Sequence, residues 1–147
     1  MRLKHQKLFT IAILALSLFI ASCRKDISVP DASLEKLFGK WNWVQTSGYS
    51  GIITPATAGY SSSIEFKKTG ICKSYENGKE QYKLKFTLAK GTSIYSTGTA
   101  YLIKYKQPGL FPSKAPTLAE SIRFGIQDTL FLSEETSNGN SYAYIKQ

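Results

Sequence analysis

Residues 82–88 read Tyr-Lys-Leu-Lys-Phe-Thr-Leu, a large apolar side chain at every second position with Lys83, Lys85 and Thr87 between them. Successive side chains on a strand point to opposite faces, so a period of two describes an extended strand with one dry and one wet side. Wound as a helix, the same residues would spread their apolar groups around the whole circumference. The pattern recurs on both sides of this stretch. Trp41 and Trp43 alternate with Asn42 and Val44, and Ile64 and Phe66 with Glu65 and Lys67. Tyr101, Ile103 and Tyr105 alternate with Leu102, Lys104 and Lys106, and Ile122, Phe124 and Ile126 with Arg123, Gly125 and Gln127. Thr129 to Ser133 and Ser141 to Lys146 read as two more strands. Thr69-Gly70, Asn77-Gly78 and Asn138-Gly139 sit where hairpins should reverse, because Asn and Gly accept positive φ at little cost.

About eight short antiparallel strands follow, each next to its sequence neighbour. The expected fold is all-β, a small up-and-down barrel whose interior either fills with side chains or holds one small ligand. An open sandwich is the alternative, although closure removes the edges that template aggregation. The one helical stretch is Ala32 to Phe38, capped by Asp31, with Leu34, Leu37 and Phe38 on one face. Two connections are longer than a hairpin needs, Thr46 to Ser61 and Gln107 to Thr117. Each reads either as a binding loop or as packing over a barrel end.

The chain begins differently. Arg2, Lys4 and Lys7 precede an apolar run from Leu8 to Ile20, which ends at Ala21-Ser22-Cys23 and turns at once into Arg24-Lys25-Asp26. That is the layout of a secretory leader, with an apolar core inside the range of about 7–15 residues and short of the roughly 20 a spanning helix needs. An uncleaved anchor is the alternative. Ile20 is too bulky for the −3 position of an ordinary leader peptidase site, which takes small residues. Ile20-Ala21-Ser22-Cys23 instead resembles the lipobox of bacterial lipoproteins. The resemblance implies that residues 1–22 are removed and that Cys23 carries the lipid anchor. Residues 23–31 then form a tether and residues 32–147 the barrel domain. Cys23-Arg24-Lys25-Asp26 partly resembles the lysine-plus-acid signal that sends some Bacteroidetes lipoproteins to the cell surface. Ile27 stands where a second acid is expected; the address implied by the resemblance is the cell envelope, at the outer membrane, with the leaflet open.

Gly39-Lys40-Trp41 opens the first strand just after the helical turn, where lipocalins carry a Gly-x-Trp signature whose Trp closes the barrel floor. Ile64-Glu65-Phe66 before Gly70, Asp128 to Ser133 and Tyr142 to Lys146 follow in the order seen in lipocalin-like lipoproteins of Bacteroidetes, which this chain resembles over most of its mature length. The resemblance implies a basic residue of the last strand over the floor Trp, an arrangement favoured by cation–π attraction. Lys146 holds that place, where many relatives have Arg.

Chemistry narrows the function further. The only histidine, His5, lies in the leader, which leaves the mature chain no Ser-His or Cys-His pair and no imidazole for a metal site. With Cys23 committed to lipid, Cys72 lacks an intramolecular disulfide partner and reads as a reactive thiol or a small buried hydrophobe. No phosphate-binding glycine loop opens a helix. The expectation is a protein that is not an enzyme and holds no cofactor and no metal. The formal charge of +9 includes three leader cations, and the remaining lysines lie mostly on the polar faces of strands. Such lysines blunt edges, and nucleic acid is not an expected partner. Tyr82, Phe86, Tyr101, Tyr105 and Phe124 form the candidate lining for a small apolar or amphipathic ligand; the plainer reading of most of them is core. Two functions remain: a membrane-anchored binding barrel, or a filled barrel that acts through its outer surface on an envelope protein or glycan.

Overall fold

The computed structural model describes residues 26–106 and 119–147. The leader, Cys23 and the Gln107–Thr117 connection lie outside the described residues. A 3-10 helix, Ala32–Leu37, precedes nine strands: β1 Gly39–Gly48, β2 Gly51–Ile53, β3 Ser62–Lys67, β4 Ile71–Glu76, β5 Lys79–Thr92, β6 Thr99–Lys106, β7 Ala119–Phe124, β8 Thr129–Glu134 and β9 Ser141–Lys146. One short helix, α1 Pro55–Ala58, lies between β2 and β3. All pairings are antiparallel. β1 pairs with β3 through Gly39–Asn42 and with β9 from Trp41 to Ser47, so β1 and β3–β9 close an eight-stranded barrel. β2 is a short addition that folds back on the far end of β1.

The inner face follows the two-residue period. Ile64, Phe66, Cys72, Leu84, Phe86, Ile103, Ile122, Leu130 and Leu132 are buried together, while Lys83, Lys85, Lys104 and Lys106 point outward. Burial of an aliphatic or aromatic side chain of this size contributes about 1.5–3 kcal/mol, and Phe66 and Phe86 add an edge-to-face contact at 5.3 Å. Cys72 is fully buried in this core, where loss of solvation pushes its thiol pKa well up; it packs as a small hydrophobe.

One barrel end is plugged. Asp31 caps the 3-10 helix by accepting from the Ser33 N–H (2.9 Å), and Leu34 and Leu37 are fully buried against the core. Trp41 Nε1 donates to the Leu37 carbonyl (2.7 Å), which ties the plug to the first strand. The segment before the helix joins it: the Ile27 N–H donates to the Lys68 carbonyl, and Ile27 and Val29 pack on the core.

Two local departures from the sequence reading have clear causes. Thr46–Ser61 is not a loop, because β1 runs on to Gly48, reverses into β2 and leads to α1. Thr54 and Thr57 form a reciprocal capping box, and Gly59 ends α1 at φ +75°. Ile126, expected inside a strand, is exposed, since β7 stops at Phe124 and the chain reverses through Gln127 and Asp128, both at positive φ. The β5–β6 hairpin also leaves the wall. β6 pairs with β7 only through Tyr101–Lys104, and the tip folds back onto the loop after β8. There Ser93 Oγ and the Ile94 N–H donate to the two carboxylate oxygens of Glu135 (2.7 and 2.8 Å), and Tyr95 Oη donates to the Thr136 carbonyl. A Cβ on Gly91 would meet Leu102 Cδ1 at 2.7 Å, so the fold-back passes through the residue that has none.

Candidate functional site

The interior changes character from one end to the other. Above the apolar core, toward the C-terminal end of β1 and the starts of β3, β5, β7 and β9, the inward positions become aromatic and polar. They enclose a partly open cavity of about 270 Å³. Trp43 and Tyr60 stand at its edge with stacked rings, centroids 5.6 Å apart and planes 18° from parallel. Trp43 Nε1 donates to Thr46 Oγ1 (3.0 Å), which fixes the indole. Ser62, Ser63 and Ser74 add hydroxyls, and Tyr82, Tyr142 and Tyr144 supply the aromatic wall.

Of the two carboxylates in the lining, Glu76 and Glu120, Glu120 is the buried one. It is 3% exposed, and Tyr105 Oη donates to its Oε2 at 2.7 Å. Burial pushes its pKa up to about 7; neighbouring Glu134 adds to the rise, and the Tyr105 hydrogen bond opposes it. Glu134 lies directly across the β7–β8 pair from Glu120. Its oxygens are engaged, Oε1 by Tyr142 Oη (2.7 Å) and Oε2 by the Asn140 N–H (2.8 Å). Burial also raises the hydroxyl pKa values of Tyr82, Tyr105, Tyr142 and Tyr144, so these groups stay neutral donors near pH 7.

Of the five lining candidates, Tyr82 alone faces the cavity. Phe86 and Tyr105 are buried in the core, Tyr105 reaching the cavity through Glu120. Tyr101 lies toward the plugged end, where its hydroxyl bond to Asp31 is the main cause of that acid's lowered pKa. Phe124 is there too, tilted against Trp41 at 6.4 Å with Lys36 Nζ 4.4 Å from its ring centroid. The floor residues do meet. Lys146 Nζ sits 5.1 Å from the Trp41 ring centroid and donates to the Lys36 carbonyl (2.9 Å), and Gly39 begins β1 at φ +125° beside the Lys146 stem.

No family model, curated protein or solved structure matches this chain. What the site can do rests therefore on its own geometry. Among the described residues no three His, Cys, Asp or Glu side chains cluster closely enough to hold a metal ion. Sequence reading missed Trp43, Tyr60, Glu120, Tyr142 and Tyr144 as lining. For four of them a signal was present: Trp43 shares the register of Trp41, Glu120 that of Ile122, and Tyr142 and Tyr144 pair with inward Leu132 and Leu130. Tyr60 follows α1 and carries no such periodic signal.

Proposed function

We propose that this chain is a lipocalin-like bacterial envelope lipoprotein, held through lipid on Cys23, that binds a small amphipathic molecule in the cavity of its barrel. The observation that carries the reading is the two-part interior: an apolar core below, and hydroxyls, ring faces and one buried carboxylate around open space above. Ligand sites are mostly apolar with a few convergent polar groups and groups of perturbed pKa. The leader and lipobox of the sequence support the address, and the Gly39, Trp41 and Lys146 corner supports the kinship. Binding rather than catalysis is favoured because both oxygens of Glu134 are engaged and the Cys72 thiol is sealed in the core.

Native mass spectrometry of the full chain, produced in a lipoprotein-processing host, tests the binding reading. A reproducible bound mass that is lost on denaturation is the expected result. A clean apo mass after incubation with envelope lipid extract would transfer support to an interaction protein. Exposed Tyr49, Ile52 and Ile53 on the β1–β2 hairpin are the surface that reading would use. Labelled palmitate should enter the wild type and be absent from Cys23→Ala; equal labelling of both would remove the anchor from the proposal.

A further inference from the structure

The charge of the cavity runs against the charge of the chain. The sequence has 19 Lys and Arg against 10 Asp and Glu. Yet two acids, Glu76 and Glu120, line the cavity, a third, Glu134, stands behind Tyr142, and no basic residue is among the described lining residues. Around these acids stand the rings of Trp43, Tyr60, Tyr82, Tyr142 and Tyr144. Carboxylate and ring faces share one preference. Aromatic faces carry negative quadrupole density and attract ammonium groups, most strongly when those are desolvated, and assemblies of such rings form ammonium cages.

We propose that the ligand is a small organic ammonium ion whose cationic head lies between Glu120 and this aromatic wall. The inference rests on the cavity being a ligand site. An anion would meet like charge from Glu76 and Glu120. A wholly apolar ligand would bury Glu120 further with no counter-charge, so that its carboxyl would have to take up a proton and its ionised form would go unused. A cation resolves both conflicts, and the cavity volume, just under the range of about 300–1,000 Å³ for drug-sized ligands, sets a small upper limit on the remainder of the molecule.

Binding should then follow the ionisation of Glu120. The titratable groups around it are Cys72 on β4, Tyr82 on β5, Tyr105 on β6, Glu134 on β8, and Tyr142 and Tyr144 on β9. The thiol and the four hydroxyls are all pushed up by burial and remain neutral, which leaves Glu120 to respond between pH 5 and 8.

The test uses the full chain in maltoside detergent, with binding read by calorimetry. Its probes are choline, the uncharged isostere 3,3-dimethylbutan-1-ol, and phosphocholine as the lipid-headgroup form of the same cation. Choline keeps its charge at every pH, so any pH dependence belongs to the protein. At pH 8 choline should bind at least tenfold tighter than the isostere and tighter than phosphocholine, and its affinity should fall about tenfold per unit well below pH 7. Glu120→Gln should abolish the preference over the isostere. Tyr60→Leu, which leaves the carboxylate in place, should weaken choline more than the isostere. Equal or tighter binding of the isostere overturns the ammonium assignment and leaves the cavity a ligand site. Tighter phosphocholine overturns the free-cation form. Failure of all three probes in the millimolar range overturns the inference, and the bound mass sought by native mass spectrometry then decides the cavity separately.

Discussion

Glu120 keeps a proton in the folded protein that it gives up when unfolded. Its folded pKa of about 7 stands above the ordinary 4.5, so its stabilising contribution is full below about pH 4.5 and is lost as pH rises through 7. The shift corresponds to about 3 kcal/mol at most, at 1.36 kcal/mol per unit. Urea midpoints of the unliganded protein should therefore fall between pH 5 and 7.5, and Glu120→Gln should flatten that decline; an equal slope in both proteins would remove Glu120 as its source. Lys146 is the second residue with a separable role. Lys146→Ala loses a cation–π contact and a hydrogen bond to the plug, and should cost about 0.5–1 kcal/mol in chemical denaturation. Lys146→Arg should recover most of it, because a guanidinium also stacks on an indole.

Turns and fold-backs are where individual elements show what the sequence concealed. Strand identity was legible because apolar and polar residues alternate through Ile64–Lys67 in β3 and Tyr82–Leu88 in β5, and Asn77-Gly78 marks its hairpin with positive φ at both residues. The β7–β8 reversal was not legible, since Gln127 and Asp128 take φ +52° and +51° without a glycine to announce it. Asp128→Gly should relieve that conformation and raise stability by about 0.5–1 kcal/mol, read as a higher melting temperature. The lining was harder still to read than the strands. Alternation says which side of a strand faces in, but height in a tilted barrel depends on register, so Tyr82 reaches the cavity while Phe86 and Phe124 lie in or below the core. For the β5–β6 hairpin, Glu135→Ala removes the acceptor of Ser93 and Ile94. Amide hydrogen exchange at residues 93–95 should quicken while that of β8 and β9 is unchanged; uniform acceleration would mean that the fold-back is part of the barrel's cooperative unit.

At the scale of the whole molecule, the barrel is polarised along its axis. The plugged end carries the 3-10 helix, Trp41, the cations Lys36 and Lys146 and the Lys68–Glu35 ion pair; the other end carries the cavity and its acids. The segment that approaches the plug from the N-terminal side is already fastened there, by the Ile27 N–H on Lys68 and by the Ile27 side chain against Gly70. Ile27 stands four positions after Cys23, a reach of about 14 Å even when fully drawn out. With lipid on Cys23, as proposed, so short a leash gives the barrel a stance as well as an address. It would rest plug-down, its lysines toward anionic headgroups, with the acidic mouth turned to the water. A ligand would then arrive from solution on the side away from the bilayer, and a molecule dissolved in the acyl chains would have no direct way in.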